Sequence, residues 1–118
     1  MKYIKNSKFV SSHKMGTVTS TVRKMREVFG KEQFNLPEAL NSGEITTKDT
    51  DMKVRVEWTL ENEETGQALC FWDWKEADKY NIDIDQELDF SIYWEDRRDK
   101  EAVEEMLNCK VIPLFNNF

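Results

Sequence analysis

Two apolar segments facing each other across a polar turn constrain this chain most. In "MKVRVEWTLE", Val54, Val56, Trp58 and Leu60 alternate with Lys53, Arg55, Glu57 and Thr59. A period of two puts the first set on a core face and the second on a wet face of one strand. "NEETGQ" follows, with Gly66 suited to a positive φ, and the chain returns as "ALCFWDW". The pair reads as a β-hairpin. The return strand is apolar on both sides: Ala68, Cys70 and Trp72 on one, Leu69 and Phe71 on the other. A second apolar face beside a partner with a wet face needs a cover: a helix, another subunit or a ligand.

The remaining elements arrange themselves around this hairpin. "LDFSIYWE" alternates Phe90, Ile92 and Trp94 with Asp89, Ser91 and Tyr93, a third strand. "TSTVRKMREVFG" repeats apolar residues at helical spacing (Val22, Met25, Val28, Phe29), with Ser20 or Thr21 to cap it and Gly30 to end it. "KEAVEEMLN" reads as a second helix that buries Ala102, Val103, Met106 and Leu107, with Asp99 as its N-cap. Residues 7–18 read as one or two short strands bending near Gly16. The tail "KVIPLFNNF" is limited by Pro113 to an edge strand or an extended cover. Residues 31–51 form a long connection in which "LPEAL" can make one helical turn. The expectation is a single α+β domain over 1–118, with an antiparallel sheet of about four to five strands and two helices packed on it.

Composition narrows the function classes. The net charge is −6, from 23 acidic against 17 basic residues, which argues against duplex DNA as a partner. Two cysteines far apart, with no CxxC, suit reduced thiols in a cytosol. "MKYIKNSKFV" is broken by Lys5, Asn6 and Lys8 and is no signal peptide, and no apolar run reaches membrane-spanning length. His13 is the only histidine, and no Gly-rich phosphate loop, GxSxG or HExxH occurs. "DIDQE" lacks the glycine and spacing of a calcium loop. The expectation is a protein without catalytic residues, metal or cofactor.

The aromatic residues are the best functional lead. Tryptophans on strands are ordinarily core. Phe71, however, sits on the uncovered face, and Trp74 follows Asp73 where the strand ends. Asn81 and Asp83 lie just beyond, and Arg97 and Arg98 lie in the "EDRRD" turn after the neighbouring strand. A flat ring can stack on such an aromatic, arginines suit phosphate, and Asn and Asp suit ribose hydroxyls. Arg55 on the first strand completes the expected ligand-binding set.

"MGTVTSTVRKMREVFG", "KVRVEW", "FWDWK" and "FSIYWEDRRDKEAV" together resemble a pattern of small bacteriophage and prophage proteins. Phe29–Gly30, Glu57–Trp58 and Asp73–Trp74–Lys75 match it. Trp94 is followed by Glu95 and Asp96 where that pattern has Gly-Gly. In size and layout the chain resembles the anti-Thoeris sponge family. That resemblance implies a counter-defence protein in the host bacterial cytoplasm, which sequesters a cyclic ADP-ribose-type signal without cleaving it. It further implies pockets in a homo-oligomer, with Phe71, Asn81, Asp83 and Arg98 in the pocket. The second apolar face and the apolar tail independently suggest at least a dimer. The competing class is an acidic phage inhibitor that binds a host nuclease or other nucleic-acid enzyme, of anti-CRISPR or anti-restriction type.

Overall fold

A computed structural model describes residues 2–6 and 13–115. The expected strand at 7–18 falls partly outside them. Within them the chain runs β1 (Tyr3–Lys5), β2 (Gly16–Ser20), α1 (Val22–Phe29), β3 (Phe34–Asn35), α2 (Leu36–Ser42), β4 (Val56–Asn62), β5 (Ala68–Trp72), β6 (Leu88–Trp94), α3 (Arg97–Leu107) and β7 (Ile112–Pro113). The class is α+β, as expected. The sheet has seven strands rather than four to five, in the order β1-β4-β5-β6-β2-β7, and β3 pairs with the same edge of β4 as β1 does. Every pairing is antiparallel.

The hairpin forms as read, with Trp58 opposite Phe71 and Leu60 opposite Leu69. One face of the sheet carries the core. Trp58, Phe71, Phe90 and Ile92 pack there against Val22, Met25 and Phe29 of α1 and Val103 and Leu107 of α3. Trp58 meets Phe90 edge-on at 5.8 Å, and its indole N–H donates to the Gly30 carbonyl at 2.8 Å. That bond satisfies the one polar atom of a buried tryptophan and ties β4 to the end of α1. Gly30 itself has φ 83°, and its N–H donates to the Arg26 carbonyl. Thr21, not Ser20, caps α1 by accepting from the Lys24 N–H.

Three expectations need correction. The N-cap of α3 is Asp96, whose carboxylate accepts from the Arg98 N–H, so the helix begins earlier than expected. Asp99 is buried inside its first turn instead. The long connection is also half ordered. Asn35 caps α2 by accepting from the Glu38 N–H, Pro37 sits in its first turn, and β3 clips this unit to β4. There are therefore three helices where two were expected. Finally, the covered face is the opposite one. Leu69 and Phe71 lie under α1 and α3, and among the described residues no helix residue joins the cluster of Ala68, Cys70 and Trp72 on the other face.

β7 lies on the outer edge of β2, pairing Gly16 with Pro113. A Cβ at Gly16 would stand 2.8 Å from the Ile112 carbonyl oxygen. Only glycine allows that approach.

Candidate functional site

The expected ligand-binding residues do not converge. Phe71 is 0% exposed, with its ring centre 5.0 Å from that of Phe29 beneath α1, so no ligand ring can stack on it in this fold. Arg55 is 2% exposed and is hydrogen-bonded inside the protein. Its Nε donates to Asp73 at 2.8 Å, and its Nη1 donates to the carbonyls of Asp78 and Asn81 at 2.9 and 2.8 Å. Asn81 and Asp83 do line one cavity with Arg55, of about 310 Å³. Glu76 and Asp78 line it too, and three acidic side chains oppose a phosphate. Arg97 and Arg98 open α3, after the end of β6 that pairs with Leu69. Trp74 follows the other end of β5. The two sets therefore lie beyond opposite ends of the strand. Arg98 also forks onto its own N-cap residue, Asp96, at 2.6 Å.

Trp74 stands at a separate cavity. It is 48% exposed and helps line a hollow of about 410 Å³ on the face of the sheet opposite α1 and α3. Val54, Glu57, Trp72, Ser91, His13 and Lys14 complete the lining. The register explains the grouping. Glu57 of β4 pairs with Trp72 of β5, and Trp72 pairs with Ser91 of β6, so one cross-strand row supplies the floor.

The walls come from two braced loops. β4 begins only at Val56, because the Asp73 carboxylate takes the backbone N–H groups of Arg55 and Val56 at 2.7 and 3.0 Å. The alternation breaks there. Val56 enters the helix-covered core, whereas Val54 packs against the cluster of Ala68, Cys70 and Trp72. Arg55, expected on the wet face, turns inward to Asp73. The Lys75 N–H donates to the Lys53 carbonyl at 2.7 Å, with Lys75 held at φ 55°. This crossing sets Lys53 and Lys75 about Trp74, their ammonium groups 5.7 and 5.6 Å from its ring centre.

Glu57 is the unusual member. It is half-buried among apolar walls, and its carboxylate makes no hydrogen bond or ion pair with a described residue. Burial pushes its pKa above the ordinary carboxylate value. Such a group costs stability when ionised, and perturbed, unpartnered acids in clefts are candidates for function.

The arrangement can hold a planar ring against indole, offer that ring an acceptor at Glu57 and a hydroxyl at Ser91, and meet an anionic substituent with lysines. Of these residues, only Trp74 belonged to the set expected from sequence. Glu57 and Ser91 looked like ordinary wet-face residues, and their grouping depends on strand register. Among the described residues, no group of three His, Cys, Asp or Glu side chains could hold a metal ion. No helix of the described residues is long and apolar enough to cross a membrane. Cys70 is buried and Cys109 half-buried, and the two are not joined in a disulfide. No protein-family model matches the chain, and no curated protein or solved structure matches it.

Proposed function

We propose that the protein is a binding protein that sequesters a nucleotide-type signal without turning it over, in the cavity on the open face of the sheet. The observation that carries this reading is the combination of Trp72 and Trp74 with Glu57 and Ser91, next to Lys14, Lys53 and Lys75. Indole supplies a stacking surface for a base. The lysines supply charge for phosphate on a chain whose net charge is −6. The volume of about 410 Å³ lies within the range of small-molecule sites.

The resemblance to anti-Thoeris sponges supports a phage counter-defence role in a bacterial cytoplasm, with a cyclic ADP-ribose-type molecule as ligand. On this reading the contact residues are Trp72, Trp74, Glu57 and Ser91, in place of Phe71 and Arg98. A homo-oligomer belongs to the same proposal. Ile112, Leu114 and Phe115 are large apolar side chains, all more than half exposed near the sheet edge at β7, and a second subunit would cover them.

The test is calorimetric titration with cyclic ADP-ribose isomers and purine mononucleotides, followed by heating and recovery of the ligand. Micromolar binding, loss of that binding in Trp74→Ala, and ligand recovered unchanged are expected. No binding by any of them rejects the proposal, and ligand recovered chemically altered rejects sequestration.

A further inference from the structure

Glu57 stands out even within its own site. The two fully buried acids around this end of the sheet both have a use. Asp73 holds Arg55 and two backbone N–H groups. Glu32 holds the Arg26 fork at 2.8 and 2.7 Å. Glu57 lines the cavity with Val54, the two indoles, Ser91, His13 and Lys14, and its carboxylate accepts no hydrogen bond from a described residue. A carboxylate placed there loses hydration without a protein donor to offset the loss. A ligand that brings an N–H donor would remove that cost.

The direction of approach is set by the strand pairing. Because Glu57 and Trp72 are paired residues on adjacent strands, their side chains stand side by side on the same face. Trp72 is only 8% exposed and belongs to the floor, so a ring stacks on the exposed indole of Trp74 and meets the neighbouring carboxylate with its edge. An edge carrying an amino group offers N–H. An edge without one leaves the buried carboxylate unanswered, the situation in which sites discriminate most strongly.

We propose that Glu57 is the specificity-determining residue of this cavity: it accepts an N–H from an exocyclic amino group on the ligand ring, so the site takes amino-bearing purines and rejects purines lacking that donor. This rests on the nucleotide reading above, and the experiment separates the two. Adenosine 5′-monophosphate and purine riboside 5′-monophosphate, which lacks the 6-amino group, are titrated into the full chain and into Glu57→Ala and Glu57→Gln. The parent should prefer the amino compound by roughly ten- to a hundredfold, the worth of a charge-assisted hydrogen bond. Glu57→Ala should bind both alike, and Glu57→Gln should show a reduced preference. Both variants should also melt higher than the parent without ligand, by about 2–5 °C, because an unanswered carboxylate is gone.

Equal binding of the two probes by the parent overturns the proposal, as does an undiminished preference in Glu57→Gln or a lowered melting temperature in both variants. If cyclic ADP-ribose isomers bind and neither purine probe does, the role of Glu57 fails while the nucleotide reading stands. If nothing binds, both fail.

Discussion

Glu32 and Glu57 are two shielded carboxyls with opposite shifts. For Glu32 burial acts upward, but the Arg26 fork, its own backbone N–H and Asn35 outweigh it and hold the carboxyl below its ordinary value. Its contribution to stability is present above the ordinary carboxylate pKa and is lost as pH falls through the depressed one. Glu57 is raised by burial, so the native state binds the proton more tightly than the unfolded chain. Its effect on stability is most favourable below the ordinary value and is lost as pH rises through the raised one. Urea titrations from pH 7 down to 3 should therefore diverge. Arg26→Ala should cost about 3 kcal/mol at pH 7, by leaving the buried Glu32 carboxylate without its partner, and the deficit should shrink in acid. Glu57→Gln should be stabilising at pH 7 and neutral in acid. A pH-independent difference in either variant would remove the electrostatic explanation.

Two short connections decide how the elements meet. Arg55 binds the carbonyls of Asp78 and Asn81 and thereby fixes the segment that follows Trp74. Arg55→Lys keeps the charge but cannot reproduce the planar fork. Amide exchange in residues 76–83 should accelerate markedly while Trp58 and Phe90 stay protected; uniform acceleration would instead show that Arg55 supports the whole core. At the other end, β1 has only three residues. It is pinned by the Tyr3 hydroxyl, which donates to Asp99 at 2.6 Å, while Asn62 donates to the same oxygen at 2.8 Å. Burial and this bond raise the Tyr3 pKa. The other Asp99 oxygen has no hydrogen-bond partner among the described residues. Asp99→Ala should cost about 1–3 kcal/mol and free β1 first, seen as early exchange at Ile4 and Asn6 before the global melt. Neither β1 nor β3 was legible in the sequence. Strands of two or three residues carry no periodicity, and these two exist because the outer edge of β4 offers them unpaired backbone groups.

For the molecule as a whole, the consequence is a sheet with α1 and α3 packed on the same face. Trp58 and Trp74 report on the two sides. Trp58→Ala removes a fully buried ring with its bond to Gly30 and should cost about 3–5 kcal/mol. Trp74→Ala should change stability by no more than about 0.5 kcal/mol. It should weaken nucleotide binding by roughly 1–3 kcal/mol, the worth of a stacked base. Thermal melts with calorimetry distinguish the two, and a Trp74→Ala protein that binds like its parent would move the site elsewhere. The exposed Ile112, Leu114 and Phe115 bear on assembly. Sedimentation at micromolar concentration should show at least a dimer, reduced toward monomer by Ile112→Lys with Leu114→Lys. A parent of 14.0 kDa would rule that assembly out.

What the sequence determined by itself was local. The alternation in β4 and β6, the helical spacing of Val22, Met25 and Phe29, and the glycine after α1 all act within one element or its cap, and they are legible because periodicity and backbone preference need no partner. The side on which the helices lie was not legible. Both sets of β5 side chains are apolar, so the strand by itself does not distinguish a core face around Phe71 from one around Trp72. The packing of α1 and α3 made that choice. The site was hidden for the same reason: Glu57, Trp72 and Ser91 come from three strands and meet only because the register aligns them. Arg55 lost its expected role to Asp73, eighteen residues away in sequence, because a buried guanidinium must find its partners wherever the fold supplies them.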